Sequence, residues 1–461
     1  MSKIFRRPIG LLENGKLISD PYPNTSSLIY GASGAAKTTT VVLPVVQALM
    51  GSAAIANIIA DVKDAEVYSQ ISAMCDKYNI PHGCLDDFNI LGRDNPNAKS
   101  LNPFWAIVET AKNNPADLLF AIETATLALI PEVGGDSKNK YFRDTPREEQ
   151  DLGIRILLDH KPDMVTPGAL YSLMADPKVW RSAREIAAEE GDAALMSRAQ
   201  QSIDMQDNDP EHFFLHSRAA LTSLRIYEPG SALHNAGRDS DLTHEQIINE
   251  SWIFCLVLPQ RHAARVGTHL ALHLQSFMHA QLTAGSGRCI YTLDELCNAP
   301  LKEAVDRVTI QRSFKASSLY IAQSRADIQR KYGKLEAAIL EENSPVVQWL
   351  SFTDVDECER ISRAMGETKS VSQSIGLNSD KQDFTSNFST GKERLFTPDE
   401  LMNLDPNYQI IRIKGHGYIH CKKLYQNQIA PTCYELGVNP LEGGILPPDP
   451  KVTLPVFKRG G

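Results

Sequence analysis

Short, almost wholly apolar runs punctuate the chain, and helical periodicity fills the stretches between them. The runs are Ser26–Tyr30, Ala53–Ala60, Ser251–Leu258, Arg288–Leu293, Ser317–Ala322 and Val346–Phe352. Runs of this length without polar alternation predict strands buried on both faces, as in a mostly parallel sheet flanked by helices. From Trp105 to about Ile248 the pattern is helical throughout. Apolar faces recur over Ala116–Leu129 and Glu148–Leu158, with further candidate helices at Lys178–Glu190, Ala193–Ile203 and Glu211–Tyr227. A long helix is predicted over Arg261–Leu282, with Leu270, Leu274, Phe277, Met278 and Leu282 on one face.

Punctuation at the two ends is of another kind. Asn14-Gly15 signals a hairpin turn in a β-like lead-in. Asp354–Met365 reads as a helix, and the polar, Ser-rich stretch from Ser370 to about Thr390 reads as a mobile loop. Thr397-Pro398-Asp399-Glu400 has the form of a helix start, with Thr397 as N-cap and Glu400 at the capping-box position. Gln409–Ile413 and Tyr418–Leu424 predict a second hairpin. The fold class expected is α/β. A discontinuous sheet domain spans 1–104 and 249–436, an all-α domain of 105–248 is inserted, and 437–461 is an extended Pro/Gly-rich tail.

The first apolar run ends in candidate chemistry. Gly31-Ala32-Ser33-Gly34-Ala35-Ala36-Lys37-Thr38-Thr39 follows it and leads into the apolar, helix-like Val41–Leu49. Strand, small-residue loop and helix start make a P-loop, in which backbone N–H groups cradle phosphates. Lys37 would reach the β- and γ-phosphates, and the Thr38 hydroxyl would meet Mg2+. Ala36 stands where the strict pattern has glycine; at positive φ it would be strained by about 1 kcal/mol.

The second site signal is the run Arg288–Leu293, which leads straight into Asp294-Glu295. A strand ending in two acids, in a chain with a P-loop, is the Walker B arrangement: Asp294 would hold the Mg2+ shell and Glu295 would polarise the attacking water. The strand ending at Gln323 would lie between these two strands and present an amide to the γ-phosphate. That inserted strand marks a RecA-like P-loop NTPase. Asp61 and Lys63, at the end of another buried strand, are also site candidates, or else a helix cap and a surface charge.

Composition narrows the picture. At 461 residues the chain has room for two or three domains. A formal net charge of −9 gives no global attraction to nucleic acid, although a local basic surface remains open to it. Lys315, Arg325, Arg330, Lys331 and Lys334 could face a DNA channel or form a solvated helix face. The 8 cysteines include no C-x-x-C pair and read as buried free thiols of a reducing compartment. Neither a signal peptide nor a transmembrane helix is found. His269 and His273 have the i,i+4 spacing of metal ligands, but the sequence offers no third ligand and no H-E-x-x-H context, so they read as a packed helix face.

In order along the chain come the P-loop, Asp61-Val62-Lys63-x-x-Glu66, Asn102-Pro103, the helical insert and Leu293-Asp294-Glu295-Leu296. Gln323-Ser324, Tyr332-Gly333, Met365-Gly366-Glu367 and Leu395-Phe396-Thr397-Pro398-Asp399-Glu400-Leu401 follow. From about residue 10 to 425 the chain resembles the type IV coupling proteins of conjugation and type IV secretion, the TraG/TraD-type ATPases. The resemblance implies a homo-hexameric motor that binds ATP and Mg2+. Its all-α domain would meet a relaxase–DNA substrate or secreted effector proteins, and its channel would pass single-stranded DNA. It also implies a trans-acting arginine finger at Arg312, and a cytoplasmic location, peripheral at the inner membrane through components of the secretion system. Most members begin with transmembrane helices, which this sequence lacks. Two other readings stand beside the motor: a weakly hydrolysing receptor that recruits effectors through the all-α domain, and a DNA pump unrelated to secretion.

Overall fold

The structure, a computed structural model, describes residues 5–52, 54–132, 140–240, 242–283, 287–298, 311–378 and 383–457. The chain opens with β1 (Pro8–Leu11) and β2 (Leu17–Ser19), a hairpin whose turn places Gly15 at φ +76. β3 (Ser27–Tyr30), α1 (Leu43–Leu49), β4 (Ile55–Asp61), α2 (Glu66–Lys77) and β5 (His82–Leu85) follow. The predicted start of β4 at Ala53 lies outside the described residues.

A helical unit comes next: α3 (Trp105–Asn113), α4 (Leu118–Leu129), α5 (Tyr141–His160), α6 (Pro167–Ala175), α7 (Pro177–Glu190), α8 (Ala193–Asn208), α9 (Pro210–Leu224) and α10 (His244–Asn249). Its helix starts are written locally. Thr166-Pro167, Asp176-Pro177 and Asp209-Pro210 each place a capping side chain on a backbone N–H just before a proline at the first helical position.

The sheet then resumes with β6 (Ile253–Val257), α11 (Ala263–Thr283), β7 (Arg288–Leu293), β8 (Ala316–Ala322), α12 (Arg325–Tyr332), α13 (Lys334–Glu342) and β9 (Val346–Trp349). After α14 (Val355–Met365) come β10 (Glu367–Asn378), β11 (Asp383–Arg394), α15 (Pro398–Met402), β12 (Tyr408–Ile413), β13 (Gly417–Lys422), β14 (Ile429–Ala430) and β15 (Val452–Thr453).

One 11-stranded sheet runs in the order β2-β1-β13-β12-β9-β3-β8-β7-β4-β6-β5. The seven strands from β9 to β5 pair in parallel, and β12, β13, β1 and β2 extend that edge antiparallel. Successive strand residues point to opposite faces, which explains the unbroken apolar runs. Leu28, Tyr30, Ile58 and Leu256 enter a core shared with α11 and the helical unit. Ile29, Ile59 and Val257 enter the opposite core, under α1 and α2. α11 packs against α3, α4 and α10, so the helical unit shares its core with the sheet.

One segment differs from expectation. The Ser-rich stretch read as a loop forms an antiparallel ladder, β10 with β11, in register from Glu367↔Arg394 to Asn378↔Asp383. Alternation of Val371, Gln373, Ile375 and Leu377 with smaller polar residues carries a strand period that its serine content masks; residues 379–382 lie outside the described residues. The carboxy-terminal segment is docked on the body. β15 pairs in parallel with β14, and the Phe457 N–H donates to Met50 O at 2.9 Å. A Cβ on Gly51 would stand 2.4 Å from Pro455 O, so only glycine admits this approach. All 8 cysteines are free, and no described helix is long and apolar enough to cross a membrane.

Candidate nucleotide site

The carboxyl ends of β3, β8, β7 and β4 lie side by side, where ligands bind open α/β sheets. Gly31–Thr38 leaves β3 in a tight loop: Ala35 N–H donates to Ala32 O at 3.1 Å, and Ala32 N–H donates to Ser351 Oγ at 3.1 Å. Gly34 sits at φ +78 and Ala36 at φ +65, so the loop demands a left-handed conformation at the position where this chain carries alanine.

The helix behind the loop starts wide, as a π turn over Thr38–Val42. Pro44 has no N–H to give Thr40 O and would crowd it, and the Leu43 N–H reaches back to Thr38 O instead. Thr39 and Thr40 hydroxyls both donate to Ala36 O, at 3.2 and 2.7 Å.

Lys37 is buried, its Nζ donating to Gly31 O at 2.9 Å and Ala32 O at 3.2 Å, with Glu295 Oε1 3.6 Å away. Asp294 is buried at the end of β7, and the Glu295 N–H donates to its Oδ1 at 3.1 Å. Glu295 stands at φ +55, a strained conformation for a non-glycine residue of the kind that collects at functional sites. Gln323 Nε2, at the end of β8, donates to Glu295 Oε2 at 3.2 Å. Lys37, Glu295, Asp294 and Gln323 are therefore assembled in one cluster. Arg312 is not part of it. It is exposed on a 3-10 turn, Gln311–Phe314, at the opposite end of β8, roughly 20 Å of strand from Gln323.

The two ambiguous residues separate. Asp61 serves the fold: its Oδ2 accepts the N–H groups of Val67 and Tyr68 at 3.0 and 2.9 Å, capping α2. Burial, with lesser contributions from Glu66 and Asp294, pushes its carboxyl up to about 7. Lys63 serves the site: its Nζ lies 3.2 Å from Asp294 Oδ2 and 3.7 Å from Glu295 Oε1. Burial opposes its charge, but Asp294, Glu295 and Glu66 outweigh that and hold the ammonium above its usual range.

Two site neighbours come from outside the two Walker segments. Glu66 Oε2 accepts from the Thr38 hydroxyl at 3.1 Å; its place in Lys63-x-x-Glu66 was the only available hint. Lys423, buried just past β13, donates to Ala35 O at 3.3 Å, and burial pulls its ammonium down to about 8.

A strand order of β9-β3-β8-β7-β4, with the P-loop on β3 and paired acids on β7, defines a RecA-like P-loop NTPase fold with an all-α insertion. Residues 288–406 match the family described as the TraM recognition site of TraD and TraG. The unbound monoclinic form of the bacterial conjugative coupling protein TrwBdeltaN70 superposes with a TM-score of 0.64 at 16% identity, over 92% of this chain and 90% of that one. Plasmid coupling protein TrwB in complex with ADP and Mg2+ gives 0.61 at 15%, over 87% and 86%. VirB4 of Thermoanaerobacter pseudethanolicus gives 0.50 at 16%, over 90% and 96%. No curated protein matches in sequence. The fold is thus similar to that of the coupling protein TrwB, and the segment from β7 to α15 matches the TraD/TraG family model, as the motifs led one to expect.

Proposed function

We propose that this chain is the coupling ATPase of a conjugative or type IV secretion system, using ATP hydrolysis to deliver a relaxase-bound single-stranded DNA or a protein substrate to the channel. The observation that carries the reading is the cluster of Lys37, Asp294, Glu295 and Gln323 on adjacent strand ends. The likeness to coupling proteins, one of them described with ADP and Mg2+, agrees with it.

Each residue then has a role. Backbone N–H groups of the Gly31–Thr39 loop cradle the phosphates, and Lys37 neutralises charge on the β- and γ-phosphoryl oxygens. Thr38 and Asp294 are the side chains that would hold Mg2+, which supplies charge neutralisation when bound. Glu295 accepts the proton of the attacking water, and Gln323, hydrogen-bonded to Glu295, couples that carboxylate to the γ-phosphate. Arg312 lies too far along β8 to serve its own site, and in a homo-hexamer would serve the neighbouring subunit's. The helical unit is the surface for relaxase or effector, and inner-membrane components of the secretion system hold the assembly in place. A receptor with little turnover is the less favoured reading, since every carboxylate and amide that hydrolysis needs is present.

Single-stranded DNA is expected to stimulate ATP hydrolysis by the purified protein, and Lys37→Ala to abolish it. Arg312→Ala should be inactive too, yet mixing it with Lys37→Ala should restore turnover in mixed rings. Absence of turnover with and without DNA would sink the motor; absence of rescue on mixing would remove Arg312 from its role.

A further inference from the structure

A second cluster of chemistry-bearing side chains lies outside the nucleotide site, where the edge of the sheet meets the helical unit. α11 places His269 and His273 one turn apart, with rings 4.6 Å between centroids and nearly perpendicular. The loop after β5 brings Asp87 to them, 182 residues away in sequence, with Asp87 Oδ2 2.9 Å from His269 Nε2. Ligand atoms of Asp87, His269 and His273 all lie within 4.8 Å of one another.

We propose that Asp87, His269 and His273 form a binding site for a divalent transition-metal ion of the zinc class, with Tyr227 and His244 as the outer partners that orient the two imidazoles.

The hydrogen bonds around the cluster support this. The Tyr227 hydroxyl lies 3.1 Å from His269 Nδ1, and His244 Nε2 lies 3.1 Å from His273 Nδ1. Each candidate ligand therefore has its Nδ1 held by a partner, His269 Nε2 faces Asp87, and a partner on Nδ1 is the arrangement that fixes the tautomer of a metal-binding imidazole. His273 Nε2 is fully buried and has no hydrogen-bond partner among the described residues. Leaving such a nitrogen unsatisfied costs on the order of 1–3 kcal/mol, and a metal ion removes that cost.

Donor type and geometry select the ion. Two imidazoles and one carboxylate suit zinc, cobalt or nickel, whereas Mg2+ and Ca2+ take oxygen ligands. Bonds of about 2.0–2.1 Å to a tetrahedral ion require donor separations of roughly 3.3–3.5 Å, which lie between the 2.9 Å from Asp87 to His269 and the 4.8 Å that bounds the cluster. Asp87 is the partly exposed member, at 15%, against 1% for His269, so the ion enters at its side and a water completes the shell there. Bound in this way, the ion would tie the β5 edge to α11 and, through Tyr227 just past α9, to the helical unit.

The test uses the full chain, stripped with chelator, free of nucleotide and kept in excess Mg2+. Titration with Co2+ is expected to produce the visible absorption of a four- or five-coordinate ion, saturating at one equivalent per chain and bleached by Zn2+. Zn2+ should raise the melting temperature of the stripped protein. Asp294→Asn, which removes the carboxylate assigned to Mg2+, should leave the band unchanged and so separate it from the nucleotide site, and His273→Gln should lose it. Asp87→Ala, at the rim, keeps the question decidable if the buried variant does not fold. It should melt like the parent in chelator yet bind Co2+ at least tenfold more weakly. No band from the folded parent, or a band indifferent to Asp87→Ala, overturns the site.

Discussion

Thr38 Oγ1 donates to Glu66 Oε2 at 3.1 Å, and the other oxygen of Glu66 accepts from Asn439 Nδ2 at 3.2 Å. A residue of the carboxy-terminal tail is thus two hydrogen bonds from the threonine assigned to Mg2+. Asn439 is buried, and the tail is anchored beside it by the Gly437 N–H donating to Gln70 O at 2.9 Å. The tail is therefore part of the wall of the site.

Removing Asn439 tests that relationship. Asn439→Ala leaves one oxygen of a mostly buried carboxylate without its donor, and should cost about 1–2 kcal/mol in urea unfolding. Asn439→Asp should cost more at neutral pH, since it sets a second carboxylate against Glu66, and the excess should shrink on acidification. Equal stability of both variants and parent would show that the tail merely lies over the site.

Lys63 is the cation among three carboxylates, Asp294, Glu295 and Glu66. Lys63→Met removes it and leaves those charges to repel one another, and a divalent cation could then take over its work. The expected outcome is a variant whose melting temperature depends strongly on Mg2+, where the parent's depends weakly. Differential scanning calorimetry across a Mg2+ series measures it; parallel curves for the two proteins would contradict the account.

Ala36 holds φ +65, where glycine is at ease and alanine is not. Ala36→Gly relieves that strain, and after the entropy that glycine adds to the unfolded chain should still stabilise by up to about 0.5 kcal/mol. ATP turnover is expected to rise, because a relaxed loop can bring its N–H groups onto the phosphates. A fall in both stability and rate would mean that the methyl group packs usefully there.

What the sequence could disclose follows the range of the interactions. The strands, the two Walker segments and the Thr397–Glu400 capping box depend on neighbouring residues, and they are legible. Asp61 and Lys63 were inseparable on paper, as both sit at the end of one strand. Asp61 turns back to its own helix, whereas Lys63 reaches Asp294 only because β7 lies beside β4. Lys423, Asn439 and Asp87 meet their partners 388, 373 and 182 residues away, and no local pattern announces them. The β10–β11 ladder was hidden for a different reason: serine content suggested disorder while the alternation beneath it had strand period.

Asp61 gives the protein a pH signature that can be worked out in sign. Its carboxyl titrates at about 7 in the fold against 3.8 ordinarily, chiefly because burial disfavours the charged form. The folded state therefore holds this proton more tightly than the unfolded chain does. The resulting stabilisation is fully present below the unfolded value and is lost as pH rises toward 7, after which it is flat. A shift of that size corresponds to up to about 4 kcal/mol. Asp61→Asn keeps an oxygen for the Val67 and Tyr68 N–H groups but cannot ionise. The stability of the variant relative to the parent should therefore rise by a few kcal/mol between pH 4 and pH 8, the upper part of that estimate. Urea unfolding at a series of pH values reads it directly, and a difference that stays constant across the series would show that Asp61 is ionised throughout.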